Sequence, residues 1–214
     1  MSIPPKIWLY RLTHINNLAD ILQNGLVVAT SPNANPHFTQ IGDNALIKYR
    51  KDLDAPHPPG GKLSDYIPFY LGPRSPMLYQ IATGFEGVKQ FPQEEIVYLI
   101  TSLDTIKSYK LSYFFTDGHA RSLTSAKFTD DKDFAILDWD TIYATYWKSD
   151  DTDLRRKEKK QAELLVKNHV PLSCIEYIAV FNNGAKQNVL NLLQATAVNI
   201  QVRVSAQQLY YDHL

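Results

Sequence analysis

The chain has 214 residues, long enough for one sizeable core or two very small ones. Its 44% hydrophobic and 12% aromatic content excludes a disordered chain. Twenty-two basic residues balance twenty-two acidic ones. Overall charge therefore cannot drive nucleic-acid binding, and any such contact must rest on a local patch.

No apolar run reaches the roughly 18 residues of a membrane span. The start, MSIPPKIWLY, lacks the charged and apolar regions of a signal peptide. The lone Cys174 has no partner for an internal disulfide. A reducing, cytoplasmic setting, no membrane association and a monomer are expected. The thirteen tyrosines offer flat apolar faces with polar tips, which suit binding surfaces as well as cores.

In chain order, IWLYRLT (7–13) has the branched and aromatic content of a buried strand. HINNLADILQNG places Leu18, Ile21 and Leu22 on one helical face, with Asn16 or Asn17 as cap and Gly25 as stop. Ser31 to Pro68 holds six of twelve prolines and three of nine glycines. A loop of that length is usually functional or mobile, and DNALIKYRK within it predicts a brief helix ending near Arg50. YIPFYLG (66–72) predicts a strand with Pro68 at an edge or bend, and SPMLYQIAT a helix. EIVYLITS predicts a strand, LDTIKSY a helical turn and SYFFTD another strand. DWDTIYATYWK and RRKEKKQAELLVK read as helical, wholly or in part. CIEYIAVF predicts a strand, AKQNVLNLLQAT an amphipathic helix and NIQVRVS a last strand. The intermixing lacks a regular βαβ rhythm. One α+β domain spanning 1–214, with a strongly bent, mainly antiparallel sheet and short flanking helices, is expected.

Charge is spread unevenly. Asp130 to Asp153 contains eight aspartates and two lysines, and Arg155 to Lys160 follows as a basic run. That run is either a solvated helix face or a guide for a phosphate backbone. The common motifs are absent: no phosphate-loop spacing, no G-x-G-x-x-G and no nucleophile elbow. One Cys and six scattered His residues argue against zinc. The aspartates fit no helix face as a metal pair, so no metal is expected.

Polar residues in apolar strand contexts remain. His14 closes the first strand, where a satisfied structural histidine is the ordinary role. Arg50 lies in the proline-rich loop. FYLGPRSPMLY (69–79) crowds aromatics, Arg74, Ser75 and Met77 around a turn. Glu163 follows the basic run and precedes Leu164, Leu165 and Val166; an ion-paired surface glutamate is the ordinary role there.

Taken together, YRLTHINNLADILQNGL, IPFYLGPRSPMLY, FFTDGHA and KQAELLV resemble the DarT family of DNA ADP-ribosyltransferase toxins. The match runs in order over about residues 7–170, and from Pro171 it continues mainly as a strand–helix–strand pattern. The resemblance implies an ADP-ribosyltransferase fold, with a split, curved sheet binding NAD in a cleft. It implies transfer of ADP-ribose to a base of single-stranded DNA, typically thymine, and an antitoxin of DarG type whose macrodomain removes the modification. Carried over by position, Thr13, His14 and Asn16 would bind NAD, and Arg50 would be the active-site arginine of the NAD-covering loop. Phe69, Tyr70 and Met77 would line the nicotinamide end. His119 would lie near the acceptor base, and Glu163 would be the catalytic glutamate, with Gln161 completing a Q-x-E pair. Arg74 and the run containing Arg155, Arg156, Lys159 and Lys160 would contact the DNA, the run by tracking its backbone.

The chemistry agrees. Breaking the nicotinamide–ribose bond leaves a cationic, oxocarbenium-like sugar that a nearby carboxylate stabilises. A strand histidine can bond a ribose, and an arginine can neutralise pyrophosphate or polarise a base carbonyl. A target base must leave the stack, which favours single strands. Two alternatives stay open: an NAD-using transferase of the same fold acting on guanine, RNA or protein, and a non-catalytic module binding single-stranded nucleic acid.

Overall fold

The computed structural model describes residues 2–42 and 51–211. The brief helix expected to end near Arg50, and Arg50 itself, fall outside them.

The first strand, β1 (Trp8–His14), carries the expected branched and aromatic residues, and its polar His14 and Thr13 are buried at one end. β2 (Leu26–Val27) is a two-residue strand. It is followed by β3 (Tyr66–Tyr70), β4 (Ile96–Ser102), β5 (Tyr113–Thr116) and β6 (Lys127–Phe128). β7 (Glu163–Lys167), β8 (His169–Val170), β9 (Tyr177–Val180) and β10 (Gln201–Val204) complete the set. Eight of them form one sheet in the order β10-β9-β4-β1-β3-β7-β5-β6. Only β9 and β10 run parallel; the other neighbours are antiparallel. The mostly antiparallel α+β architecture expected from the sequence is the one observed.

The middle of this sheet is where it divides. β1 pairs with β4 along its whole length, from Trp8↔Ser102 to His14↔Ile96. On its other side it meets β3 at the single pair Tyr10↔Tyr70. Past that point the two strands part, and the Arg11 side chain spans the gap, donating from Nη1 to the Pro68 carbonyl at 3.1 Å. The backbone ladder that would have closed the sheet is missing there, so a cleft opens between its halves.

Helices close over the faces. α1 (Leu18–Asn24) buries Leu18, Ile21 and Leu22 and ends at Gly25 with φ 72°. Only glycine adopts that angle at little cost, and a Cβ there would stand 2.6 Å from the Val170 carbonyl oxygen. The turn thereby delivers the chain into β2, which pairs with β8. α2 (Pro76–Thr83) starts with proline in its first turn and Ser75 as cap, its Oγ accepting from Leu78 N at 3.3 Å. α3 (Leu103–Ser108) and α4 (Trp139–Tyr143) are short. α5 (Arg156–Lys159) is a single turn. α6 (Asn183–Thr196) lays Ala185, Val189 and Leu193 on the core, and α7 (Ala206–Leu209) follows β10.

The stretch 155–167 departs from the helical expectation. Its helix stops at Lys159, and Glu163 is the first residue of a strand. Leu164, Leu165 and Val166 are fully buried because β7 lies between β3 and β5 with both faces covered. A strand buried on both faces has an unbroken apolar run instead of alternation, and such a run is indistinguishable from a buried helical segment.

Candidate active site

A cavity of about 610 Å³ occupies the split. Tyr10 to Thr13 of β1 line one side and Tyr66, Ile67, Pro68 and Tyr70 of β3 the other. Asp20, Ile21, residues of 25–42, Lys51, Leu63, Ser64 and Met77 add to the wall among the described residues, and His119 and Glu163 stand within it. Mostly apolar walls with a few convergent polar groups, at this volume, suit a small-molecule ligand.

Glu163 enters from the start of β7. It is 2% exposed, and its backbone N–H is bonded to Thr116 Oγ1 at 3.3 Å. Thr116 in turn donates to the Gly118 carbonyl at 2.6 Å, so the carboxylate and the loop after β5 share one anchor. That loop brings His119 Nδ1 to 3.5 Å from Glu163 Oε1. The same Nδ1 accepts the Arg121 N–H at 3.3 Å. With the ring neutral, Nδ1 faces the Arg121 amide as an acceptor; with Nδ1 protonated, it faces the Glu163 carboxylate as a donor. The two groups thus stand side by side at the cleft wall, an ion pair when the ring is protonated.

Tyr70 is the direct register partner of Glu163, and its hydroxyl contacts Met77 Sδ at 3.5 Å. Both line the cavity. Phe69 does not: it is fully buried in the main core. Thr13 lines the cavity and accepts Asn17 Nδ2 at 3.0 Å. The His14 ring is turned away, with Nδ1 accepting Asn16 N–H at 3.1 Å and Nε2 at 3.0 Å from Glu95 Oε2. Asn16 is exposed and faces a shallow groove against α6, beside Asn188 and Asn191.

Arg74 has a left-handed backbone (φ 54°), and its guanidinium donates to the Gln207 carbonyl and lies over the Tyr211 ring. The basic run meets the acidic segment that precedes it. Arg156 pairs with Asp150, and Lys159 with Asp138 at 3.1 Å and Asp153 at 3.0 Å. Arg155 pairs with Glu158 at 2.8 Å and reaches Asp117 at 3.5 Å. Lys160 is 1% exposed and donates to the carbonyls of Ile142 and Ala144, each at 2.7 Å. A buried ammonium capping the end of α4 cannot track a DNA backbone, which corrects the expectation for Lys160. The others are partnered by carboxylates of their own chain. Gln161 donates back to the Lys157 carbonyl at 3.0 Å.

One cavity-lining residue and two that support the lining escaped the sequence reading. Arg11 was readable as a charge inside an apolar strand. Asn17 donates to Thr13 Oγ1 and the Thr39 carbonyl, and accepts Thr39 N–H at 2.7 Å, which ties the cavity wall to α1. Thr116 gives no sequence signal. Among the described residues no group of three or more His, Cys, Asp or Glu side chains could hold a metal ion. No helix among them is long and apolar enough to cross a membrane.

A split sheet whose cleft holds a buried carboxylate beside a partly buried histidine, with an arginine bridging the gap, has the make-up of an enzyme site for a small-molecule ligand. The chain belongs to the DarT family, described as ssDNA thymidine ADP-ribosyltransferase, which it matches over residues 10–211. It is 38% identical over 196 residues to a DNA ADP-ribosyl transferase of Thermus sp. (strain 2.9), covering 90% of each chain. Its fold superposes on Thermus sp. 2.9 DarT in complex with ADP-ribosylated ssDNA with a TM-score of 0.89 and 33% identity, covering 98% of this chain and 99% of that one. Against the same protein in complex with NAD+ the TM-score is 0.84 at 34% identity, covering 98% and 100%.

Proposed function

We propose that this protein transfers ADP-ribose from NAD to a thymine base of single-stranded DNA and releases nicotinamide. The observation that carries the reading is the placement of Glu163, a carboxylate anchored on a buried strand and opening on the cleft beside His119. NAD fits the donor set: Arg11 and Lys51 line the same cavity and supply positive charge for a pyrophosphate, while Tyr10, Tyr66 and Tyr70 supply flat faces for rings. Thr13 offers a hydroxyl at the β1 wall. Arg50, which the family resemblance makes the arginine of the covering loop, completes the proposed set with Tyr70 and Met77.

Glu163 stabilises the positive charge that develops on the sugar as its bond to nicotinamide breaks. The attacking base nitrogen must lose a proton as the new bond forms, and the Glu163 carboxylate supplies an acceptor beside the His119 ring. A macrodomain antitoxin that removes the modification is the proposed partner. Mass spectrometry of short oligonucleotides differing by one base, after exposure to enzyme and NAD, tests the reading. A gain of one ADP-ribose on thymine-containing single strands is expected. Label appearing on guanine, RNA or protein instead would assign another acceptor, and DNA binding without nicotinamide release would leave a non-catalytic module.

A further inference from the structure

We infer that Glu158, together with Arg155, is a positioning residue for the transfer site: the pair staples the loop 117–126 to α5 and so sets where the His119 ring stands relative to Glu163. The inference rests on the proposed function for its kinetic readout and on the geometry for the rest.

The loop leaves β5 at Thr116, whose hydroxyl ties it to the Glu163 backbone. Its far side has no strand or helix to hold it until β6, and there the staple acts. Glu158 accepts Thr124 Oγ1 at 2.9 and 2.8 Å on its two oxygens and Ser125 Oγ at 3.0 Å. Arg155 Nη2 donates to Glu158 at 2.8 Å and to the Thr124 carbonyl at 3.0 Å, and reaches Asp117 Oδ2 at 3.5 Å. One ion pair thus grips both the first and the last residues of the loop. α5 also presses on the loop backbone next to His119: a Cβ at Gly118 would stand 2.5 Å from Ser125 Oγ and 2.8 Å from Glu158 Cγ. Within the loop, His119 accepts Ser122 N–H at its carbonyl, and Ala126 N–H is bonded by Asp117 Oδ1. The loop is a closed unit, placed from outside by the staple and by Ala120, which is buried among Leu63, Tyr66, Phe114 and Leu165. Burial would raise the Glu158 pKa, but hydrogen bonds from Arg155, Thr124 and Ser125 outweigh it and hold the carboxyl below its usual range. The staple is therefore charged at neutral pH.

Staple and carboxylate lie five positions apart on one segment, Glu158 on α5 and Glu163 on β7. A loop released from α5 keeps its anchor at Thr116 but can swing His119 away from its 3.5 Å separation from Glu163, and small misplacements of reacting groups are costly in rate.

The test is a double difference read by NMR titration of the His119 ring. In the wild-type background Glu163→Gln should lower the His119 pKa by about half a unit or more, because an opposite charge within ~4–6 Å favours the protonated ring. In a Glu158→Ala background the same substitution should shift it by less than half as much. Kinetically, Glu158→Ala should lower kcat for DNA modification by about tenfold or more while KM for NAD stays within about threefold. Glu158→Gln, which keeps an acceptor for Thr124 and Ser125, should recover part of the loss. If Glu158→Ala does not fold, Thr124→Val with Ser125→Ala removes the loop's half of the staple and is read the same way. Equal His119 shifts in both backgrounds, no shift in the wild type, or an unchanged kcat would each overturn the inference. A wild type that modifies no DNA would overturn the proposed function instead and leave the NMR comparison to decide this one.

Discussion

Glu163 and Tyr70 are direct partners across the β3–β7 ladder, so both side chains leave the sheet on one face and enter the same cleft. The pair closes that ladder next to the single pairing between β3 and β1, Tyr10↔Tyr70. Both halves of the sheet are thus joined beside the carboxylate. Glu163 has a backbone fixed by Thr116 and β3, while its head opens on the cavity. A group held this way needs no reorganisation when charge develops beside it.

Glu163→Gln keeps the size of the side chain and removes its charge. Transfer should fall by about 10²–10³, the usual cost of losing one preorganised electrostatic element, and by more if proton acceptance is lost with it. NAD affinity should change only a few-fold, because the ground-state ribose carries no positive charge. Single-turnover rates and calorimetric titration with NAD separate the two effects, and near-normal transfer by the variant would remove Glu163 from the catalytic role.

Asn17→Ala removes three hydrogen bonds at once, two of them to the Thr39 backbone. Phe38, Gln40 and Ile41 line the cavity on either side of Thr39, so NAD affinity should fall about tenfold as that wall loses its tie. Unpaired polar groups typically cost about 1–3 kcal/mol, and melting should drop by about 2–4 °C per kcal/mol for a chain of this size. A melting shift with unchanged NAD affinity would make Asn17 a structural tie alone.

Much of this architecture was legible. β1, β4 and β9 declare themselves by branched and aromatic content, α1 by its apolar spacing and Gly25, and α2 by Ser75 and Pro76. That Tyr70 lines the cleft while Phe69 is buried in the core was not legible, because it depends on which side of β3 the core covers. β7 was not legible, because a strand covered on both faces loses its alternation and the charges before it extend a helical pattern. The pairing of Lys159 with Asp138 and Asp153 was hinted at by adjacent blocks of opposite charge, yet which carboxylate meets which amine is decided by tertiary packing. Two-residue strands such as β2 and β8 exist only through each other. The Asn17–Thr39 and Glu158–Thr124 hydrogen bonds join distant parts of the chain through residue types common on any surface, so no local signal marks them.

The pairing of the basic run makes its own prediction about DNA. If three to five phosphates are bound, log affinity for single-stranded DNA should fall against log salt with a slope of roughly −2 to −3.5. Lys159→Ala should leave that slope unchanged, since its ammonium is held between Asp138 and Asp153. Removing a cation that does bind a phosphate makes the slope on a single strand shallower by about 0.7. A change of that size in Lys159→Ala would return the run to the DNA surface.

Lys160 gives the protein a distinctive pH dependence. Burial, with the nearby Arg74 charge as a smaller contribution, pushes its pKa down to about 7 from the ordinary 10.5. The unfolded chain keeps this amine protonated to far higher pH than the folded one. Between about pH 7 and 10.5 the unfolded state therefore binds one more proton, and stability rises with pH by at most about 1.4 kcal/mol per unit. Below pH 7 both states are protonated and the contribution is flat. Above pH 9 the effect is opposed: burial pushes the Cys174 thiol up to about 11, so there the folded state holds the extra proton and stability falls with pH. The clean window is pH 7 to 9. The two carbonyls of Ile142 and Ala144 keep donors throughout, because a neutral amine still has two N–H groups. Lys160→Met should abolish the rise between pH 7 and 9 and should lower stability at pH 9 by about 1–3 kcal/mol for each carbonyl left unpaired. Urea unfolding at pH 7, 8 and 9 reads both quantities. A flat wild-type profile, or a rise that survives in Lys160→Met, would show that Lys160 is not the group responsible.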